Sequence, residues 1–364
     1  MGNVQSGYNG LSINDIMALQ AQYSVGTIVI YVFPIIPLSI LWGISLRSTH
    51  RKGDAARGAF AWIKTLFPIY ILSLLMFVIT RAMYLYVIDL DNVSGRTAAL
   101  VQALDFLNCS GRYFEDTADI LLLVVLVELG IGFLISLDNR DGPSKRAKLA
   151  RYATLALALA FFVMASVYFA LSVEFWDRYH KWAYGSSADR LKSPRAPRPN
   201  PSVGLLGSAL NILFWGAVLP IVGCAAYIVH KTKHAVHLRQ SAILFLAAAL
   251  LDFARLTVGM VTTAIYDFGP NSIVRPLSLS YVAQPLLNTL PWFLLLVLLF
   301  VIGMRKEGGL WSGPRLDEIQ SEARRVEAAE SKTDKSSWRE KFKKPTKQEW
   351  KDAVVSTLLT SGYQ

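Results

Sequence analysis

Residues 112–130 read RYFEDTADILLLVVLVELG. The second half is an apolar run suited to lipid, yet the stretch holds Glu115, Asp116, Asp119 and Glu128. Charges in a membrane are costly, so they face a bundle interior or a wet cavity and take partners. At ~100° per residue, Glu115, Asp116 and Asp119 share one helical face, and Glu128, nine residues past Asp119, lies ~180° around. A helix with costly groups on two faces needs protein on both sides. This segment is therefore expected to be the central helix of a bundle.

The rest of the chain supplies the neighbours. Of 364 residues, 53% are hydrophobic and 12% aromatic, and the mean hydropathy is +0.37. The apolar residues fall into long blocks at 24–46, 60–88, 113–137, 152–174, 203–229, 241–266 and 278–304. Each is near the ~20 residues that cross the hydrocarbon core. Backbone polar groups in lipid must be bonded internally, so each block is expected to be a helix, prolines included. The predicted class is an all-α, seven-helix membrane bundle. Its segments are an outer N-terminal piece, 1–23, with a short surface helix from Ser12 to Gln20, a transmembrane domain, 24–304, and a basic tail, 305–364. No basic leader with a cleavage site precedes the first block, which is expected to act as the insertion signal.

Orientation follows from Lys and Arg. The segments 47–59, 138–151, 230–240 and the tail carry 25 of them, against 9 in the N-terminus, 89–112, 175–202 and 267–277. The positive-inside rule places the N-terminus outside and the tail in the cytosol of a multi-pass protein of the plasma membrane or an endomembrane. Sequons at Asn92 and Asn108 fall on that outer side and are glycosylation candidates. The opening MGNVQS fits a myristoylation pattern at Gly2. That modification needs a cytosolic N-terminus, so the charge count argues against it. Cys109 and Cys224 lie about a membrane thickness apart and are not expected to bridge.

Depth along each block follows from the ~1.5 Å rise per residue. Measured from the cytosolic end, Asp119, Asn211, Asn288 and Arg255 lie ~21–27 Å up, and Arg81, Gln284 and Glu174 lie near or above ~30 Å. Asp252 lies at ~17 Å and Glu128 at ~13 Å. Arg81, Asp116, Asp119, Glu128, Asp252, Arg255, Gln284 and Asn288 form the candidate polar set. Asp119 is expected to pair with Arg81 or Arg255, and Arg255 with Asp252 at i,i+3. No Lys or Arg appears at the level of Glu128, which is expected to stay neutral and unpaired. The same residues serve equally as a polar clamp between helices, and Glu115 and Asp116 as a solvated helix start.

Enzyme signatures are absent: the sequence contains no Gly-rich phosphate loop, no GxSxG and no HExxH. None of the five His falls inside an apolar block, and His230, His234 and His237 read as part of a basic loop rather than a zinc site. No catalysis, metal, cofactor or nucleic acid is expected. The stretch RYFEDTADILLL resembles the third helix of microbial rhodopsins, but residues 278–304 contain no Lys for a retinal. The layout is similar to that of G-protein-coupled receptors, although the third block ends LDNR and the last carries Asn288-Thr-Leu-Pro291-Trp292. In its third helix and general layout the chain resembles the orphan seven-helix integral membrane proteins of filamentous fungi. That resemblance implies a receptor-like arrangement.

In the tail, Leu316, Ile319, Ala323 and Val326 recur at helical spacing, and Thr346 with Glu349 forms a capping box. Trp350, Val354 and Leu358 then share a face downstream of Lys341, Lys343 and Lys344, as in a basic amphipathic segment for an anionic inner leaflet. Expected partners are membrane lipids, a small-molecule ligand and a cytosolic signalling protein. The leading functional expectation is sensing of a small polar or charged ligand in an outer-half cavity. The alternatives are a proton-coupled transporter or lipid-handling protein and, third, a structural membrane protein.

Overall fold

The computed structural model describes residues 13–48, 58–88, 95–137, 144–184, 201–233, 236–266 and 282–305. All elements within these residues are helical: α1 (Ile13–Ser48), α2 (Gly58–Ile88), α3 (Gly95–Leu137), α4 (Lys145–Tyr184), α5 (Pro201–Lys231), α6 (Val236–Tyr266) and α7 (Gln284–Met304). All seven are long and apolar enough to cross a membrane. The protein is thus a multi-pass integral membrane protein, and the side chains on the bundle perimeter are apolar, among them Val29, Phe33, Ile36, Leu159 and Leu205. Asn92, Gly2, His234 and the tail beyond Arg305 lie outside the described residues.

The helices close into a ring, each packed on its chain neighbours and α7 returning to α1. Helix α3 adds contacts to α5 and reaches α6 through Phe133, whose ring stacks on Phe245 at 5.5 Å. Its central place shows in burial: 67% of its most apolar window is buried, against 22–39% in the other helices. The acids on two faces therefore do mark the helix with protein all round.

Several boundaries differ from those set by hydropathy. Helix α1 begins at Ile13, so the expected surface helix Ser12–Gln20 is continuous with the first span. Helix α3 begins at Gly95 and α4 runs to Tyr184, so most of 89–112 and the start of 175–202 are helix rather than loop. With 43 and 40 residues, these helices are ~60 Å long, about twice the hydrocarbon thickness. Hydropathy falls where a helix leaves lipid, not where it ends. The α3 and α4 extensions are joined by polar contacts: His180 Nε2 lies 2.8 Å from Asp105 Oδ2, and Gln102 donates to Asp177. His180, six residues past the fourth apolar block, is buried within α4, and His230 lies in the last turn of α5, so both are helical although neither falls in an apolar block. Helix α7 runs from Gln284 after a π-helical step at 282–283, with Pro285 in its first turn, where a missing N–H is harmless.

Close approaches fix the register. Ser73 donates to the Gly111 carbonyl at 2.8 Å, which sets α2 against α3. A Cβ on Gly111 would fall 2.9 Å from the Phe77 ring, and one on Gly303 would fall 2.6 Å from Phe60. Both glycines are there because a neighbouring ring fills the space of a side chain.

Candidate functional site

The stripe Asn108, Arg112, Glu115, Asp119 repeats at helical spacing along α3, and it lines a cavity of about 490 Å³. All seven helices contribute to its wall. Tyr31 comes from α1, Phe77 and Arg81 from α2, and Tyr168 from α4. Helix α5 presents Gly204, Gly207, Ser208 and Asn211 on one face, where Gly204 leaves open space and the Tyr168 ring packs against Gly207. Helices α6 and α7 add Arg255, Gly259, Thr262, Thr263, Gln284 and Asn288. The cavity runs inward from the end of the bundle at which α1, α3, α5 and α7 begin, because Gly204 and Gln284 lie in the first turns of their helices.

Arg255 forms the floor. Its Nη2 donates to Asp119 Oδ1 at 2.6 Å and to Asp252 Oδ1 at 2.9 Å, and its Nη1 donates to Asn288 Oδ1 at 3.2 Å. Asn288 in turn donates through Nδ2 to Glu115 Oε1. One guanidinium thus ties α3, α6 and α7 together. Beneath it the Trp292 ring lies 5.2 Å from the guanidinium carbon and stacks on Tyr70 at 4.4 Å. Such an apolar, aromatic seat strengthens the ion pairs by excluding water, and it contributes a cation–π contact.

Below Asp119 the character changes. Leu122, Leu123, Val124, Val125 and Leu126 are all buried. This apolar layer separates the cavity from Glu128. The expectation that Glu128 is unpaired is wrong: Arg151 of α4 grips both of its carboxyl oxygens. Residue 151 lies just outside the fourth apolar block, but helix α4 starts at Lys145, and a long guanidinium stem reaches along apolar surface to a partner above its own Cα. Gly58 of α2 makes room, with its missing Cβ 3.3 Å from Glu128 Oε2.

Six of the eight expected polar residues line the cavity: Arg81, Asp116, Asp119, Arg255, Gln284 and Asn288. Asp252 stands behind the wall and holds Arg255, and Glu128 belongs to the opposite half. Asp119 pairs with Arg255. Asn108, read from sequence as a sequon in an open loop, instead faces the cavity from within α3. Glu115 and Asn211 were legible as polar residues at the right depth or spacing, whereas Arg112 fell in the expected 89–112 loop. Tyr31, Tyr168 and the Thr262–Thr263 pair carried no signal, since single hydroxyls in apolar helices are common.

No protein-family model, no curated protein and no solved structure matches this chain.

Proposed function

We propose that the protein is a receptor-like sensor that takes a small polar or charged ligand into the α3–α6–α7 cavity. The single observation that carries the reading is the cavity's form: about 490 Å³, entered from one end of the bundle, floored by Arg255 and backed by an apolar layer. Its volume falls in the ~300–1,000 Å³ range usual for small-molecule sites. Ligand contacts with α3, α6 and α7 would bias the packing of three helices at once, because Arg255 already couples them. The split of basic residues along the chain turns the cavity mouth away from the cytosol.

A proton-coupled transporter is the second reading. It is favoured by one feature, the two acids, Asp119 and Asp252, that share the single cation Arg255.

The test is thermal stabilisation of the purified full chain in detergent by a library of small charged metabolites, with Gly259→Phe as control. A Cβ at Gly259 meets nothing within 4 Å, so the Phe ring can enter the cavity without moving the backbone. Compounds that stabilise the native protein and not Gly259→Phe are expected. A library with no such compound overturns the ligand reading. Accumulation of a stabilising compound inside proteoliposomes replaces the sensor with the transporter.

A further inference from the structure

The charges on the cavity wall are ordered along its axis. Ser73 and Gly111 are level, since they share a hydrogen bond. Arg81, eight residues further along α2, then lies ~12 Å nearer the mouth, while Asp119 lies ~12 Å deeper than Gly111. Arg112 stands between them, and Glu115 and Asp116 follow it downwards. The mouth is therefore basic and the lower wall acidic.

The floor is short of positive charge. Arg255 there faces Asp119 and Asp252 directly, and Glu115 through Asn288. Two cavity groups stand outside this network. Asp116 and Arg112 form no hydrogen bond or ion pair among the described residues, although one helical turn separates them. Arg112 and Asp116 act on each other electrostatically along one wall, yet neither is held in a hydrogen bond or close ion pair, and with the cation towards the mouth they form a two-ended electrostatic template.

Building on the sensor reading, we propose that the ligand is a small zwitterion, bound with its cationic group towards Asp116 and its anionic group at Arg112. A purely anionic ligand would leave the acidic floor uncompensated. A purely cationic one would have to pass two arginines and leave Arg112 unpaired. A zwitterion meets both demands, and Asn211 and Thr263, hydrogen-bonded to each other, add polar groups to the lining. Free amino acids and zwitterionic lipid headgroups share this chemistry.

The experiment uses same-skeleton triplets, with the purified full chain in a non-ionic maltoside detergent. They are L-alanine, propionate and ethylamine; L-leucine, 4-methylpentanoate and 3-methylbutylamine; and L-phenylalanine, 3-phenylpropionate and 2-phenylethylamine. Glycerophosphoethanolamine represents the lipid headgroup. Within at least one triplet the zwitterion is expected to bind at least tenfold more tightly than either singly charged analogue, or glycerophosphoethanolamine is expected to bind in their place. In either case binding should be absent in Gly259→Phe. Arg112→Gln should erase the advantage over the amine, and Asp116→Asn the advantage over the carboxylate, each with an unchanged unfolding temperature. Binding of an acid or amine as tight as that of its zwitterion overturns the proposal and leaves the sensor reading standing. A flat response to all ten compounds overturns it too, and the metabolite library then decides the sensor reading separately. Variants that bind the zwitterion as the native protein does also sink the assignment.

Discussion

The Arg255 cluster and the Glu128–Arg151 pair are both ionic links made by α3, in opposite halves of the bundle. Their surroundings differ. The Arg255 side chain is 4% exposed, with Asp119 and Asp252 at 10% and 3%. Arg151 is 33% exposed against a Glu128 at 8%. The first link joins three helices and borders a cavity. The second joins two, at the edge of the apolar layer, with a cation that can reach solvent. The contrast suggests that identical chemistry serves different purposes at different depths. A fully enclosed network fixes one arrangement of several helices, whereas a half-exposed pair fastens one helix to another.

The comparison is broken most directly by Arg255→Met. It leaves Asp119 and Asp252 enclosed with no cation, and removing one partner of a buried ionic group typically costs about 3–5 kcal/mol. Denaturant unfolding of the purified variant in detergent is expected to show a loss of that size, together with weakened α3–α6–α7 contact. A loss no larger than that of Glu128→Gln would mean that the floor is hydrated and that the two links are equivalent.

Glu128→Gln comes next. The amide keeps one acceptor for Arg151 but loses the charge, and hydrogen bonds to charged groups contribute about 1.5–3 kcal/mol. Arg151 can turn towards solvent, so the lower half of that range is expected. The same unfolding assay checks it. An effect near zero would restore the unpaired, neutral Glu128 that its depth in the sequence suggested.

Asp252→Asn is expected to cost about 1 kcal/mol. It leaves a one-to-one Asp119–Arg255 pair, and the new amide oxygen can still accept from Arg255. If Asp252→Asn instead costs as much as Arg255→Met, then both acids are needed to hold the guanidinium. Asp252 is then a structural partner as necessary as Asp119.

These residues also show what could be read before the structure. Seven helices and the central place of the third were legible because lipid leaves the backbone few options, and because charge on two faces demands neighbours. Asp252 with Arg255 followed from i,i+3 spacing, and depth narrowed the partner of Asp119 to Arg81 or Arg255, of which the packing of α3 on α6 selects Arg255. Glu128 was misread because depth arithmetic treats a residue as its Cα, while an arginine side chain extends well beyond it. Asn108 and Arg112 were misread as loop because apolar character stops where lipid stops, whereas α3 continues for more than four turns. The pairing of Asp105 with His180 was hidden for the same reason, since both lie beyond the apolar blocks. Gly58 and Gly303 could not be interpreted at all, because their role depends on which side chain of another helix fills the space.

The smallest effect is expected from Glu174→Gln, which completes the series at the exposed end. Glu174 accepts from Arg178 one turn along α4, and their side chains are 51% and 69% exposed. This is the same carboxylate–guanidinium contact as at Glu128, but water solvates both groups before and after the change. An i,i+4 pair of this kind contributes about 0.3–0.5 kcal/mol on a helix surface, and salt screens it. The variant should therefore unfold within about 0.5 kcal/mol of the native protein, with the difference shrinking as salt rises. Glu128→Gln, measured alongside, should keep its larger loss at high salt, because Glu128 is enclosed. If the two variants respond alike to salt, burial does not distinguish the pairs, and the ordering from Arg255 through Glu128 to Glu174 loses its physical basis.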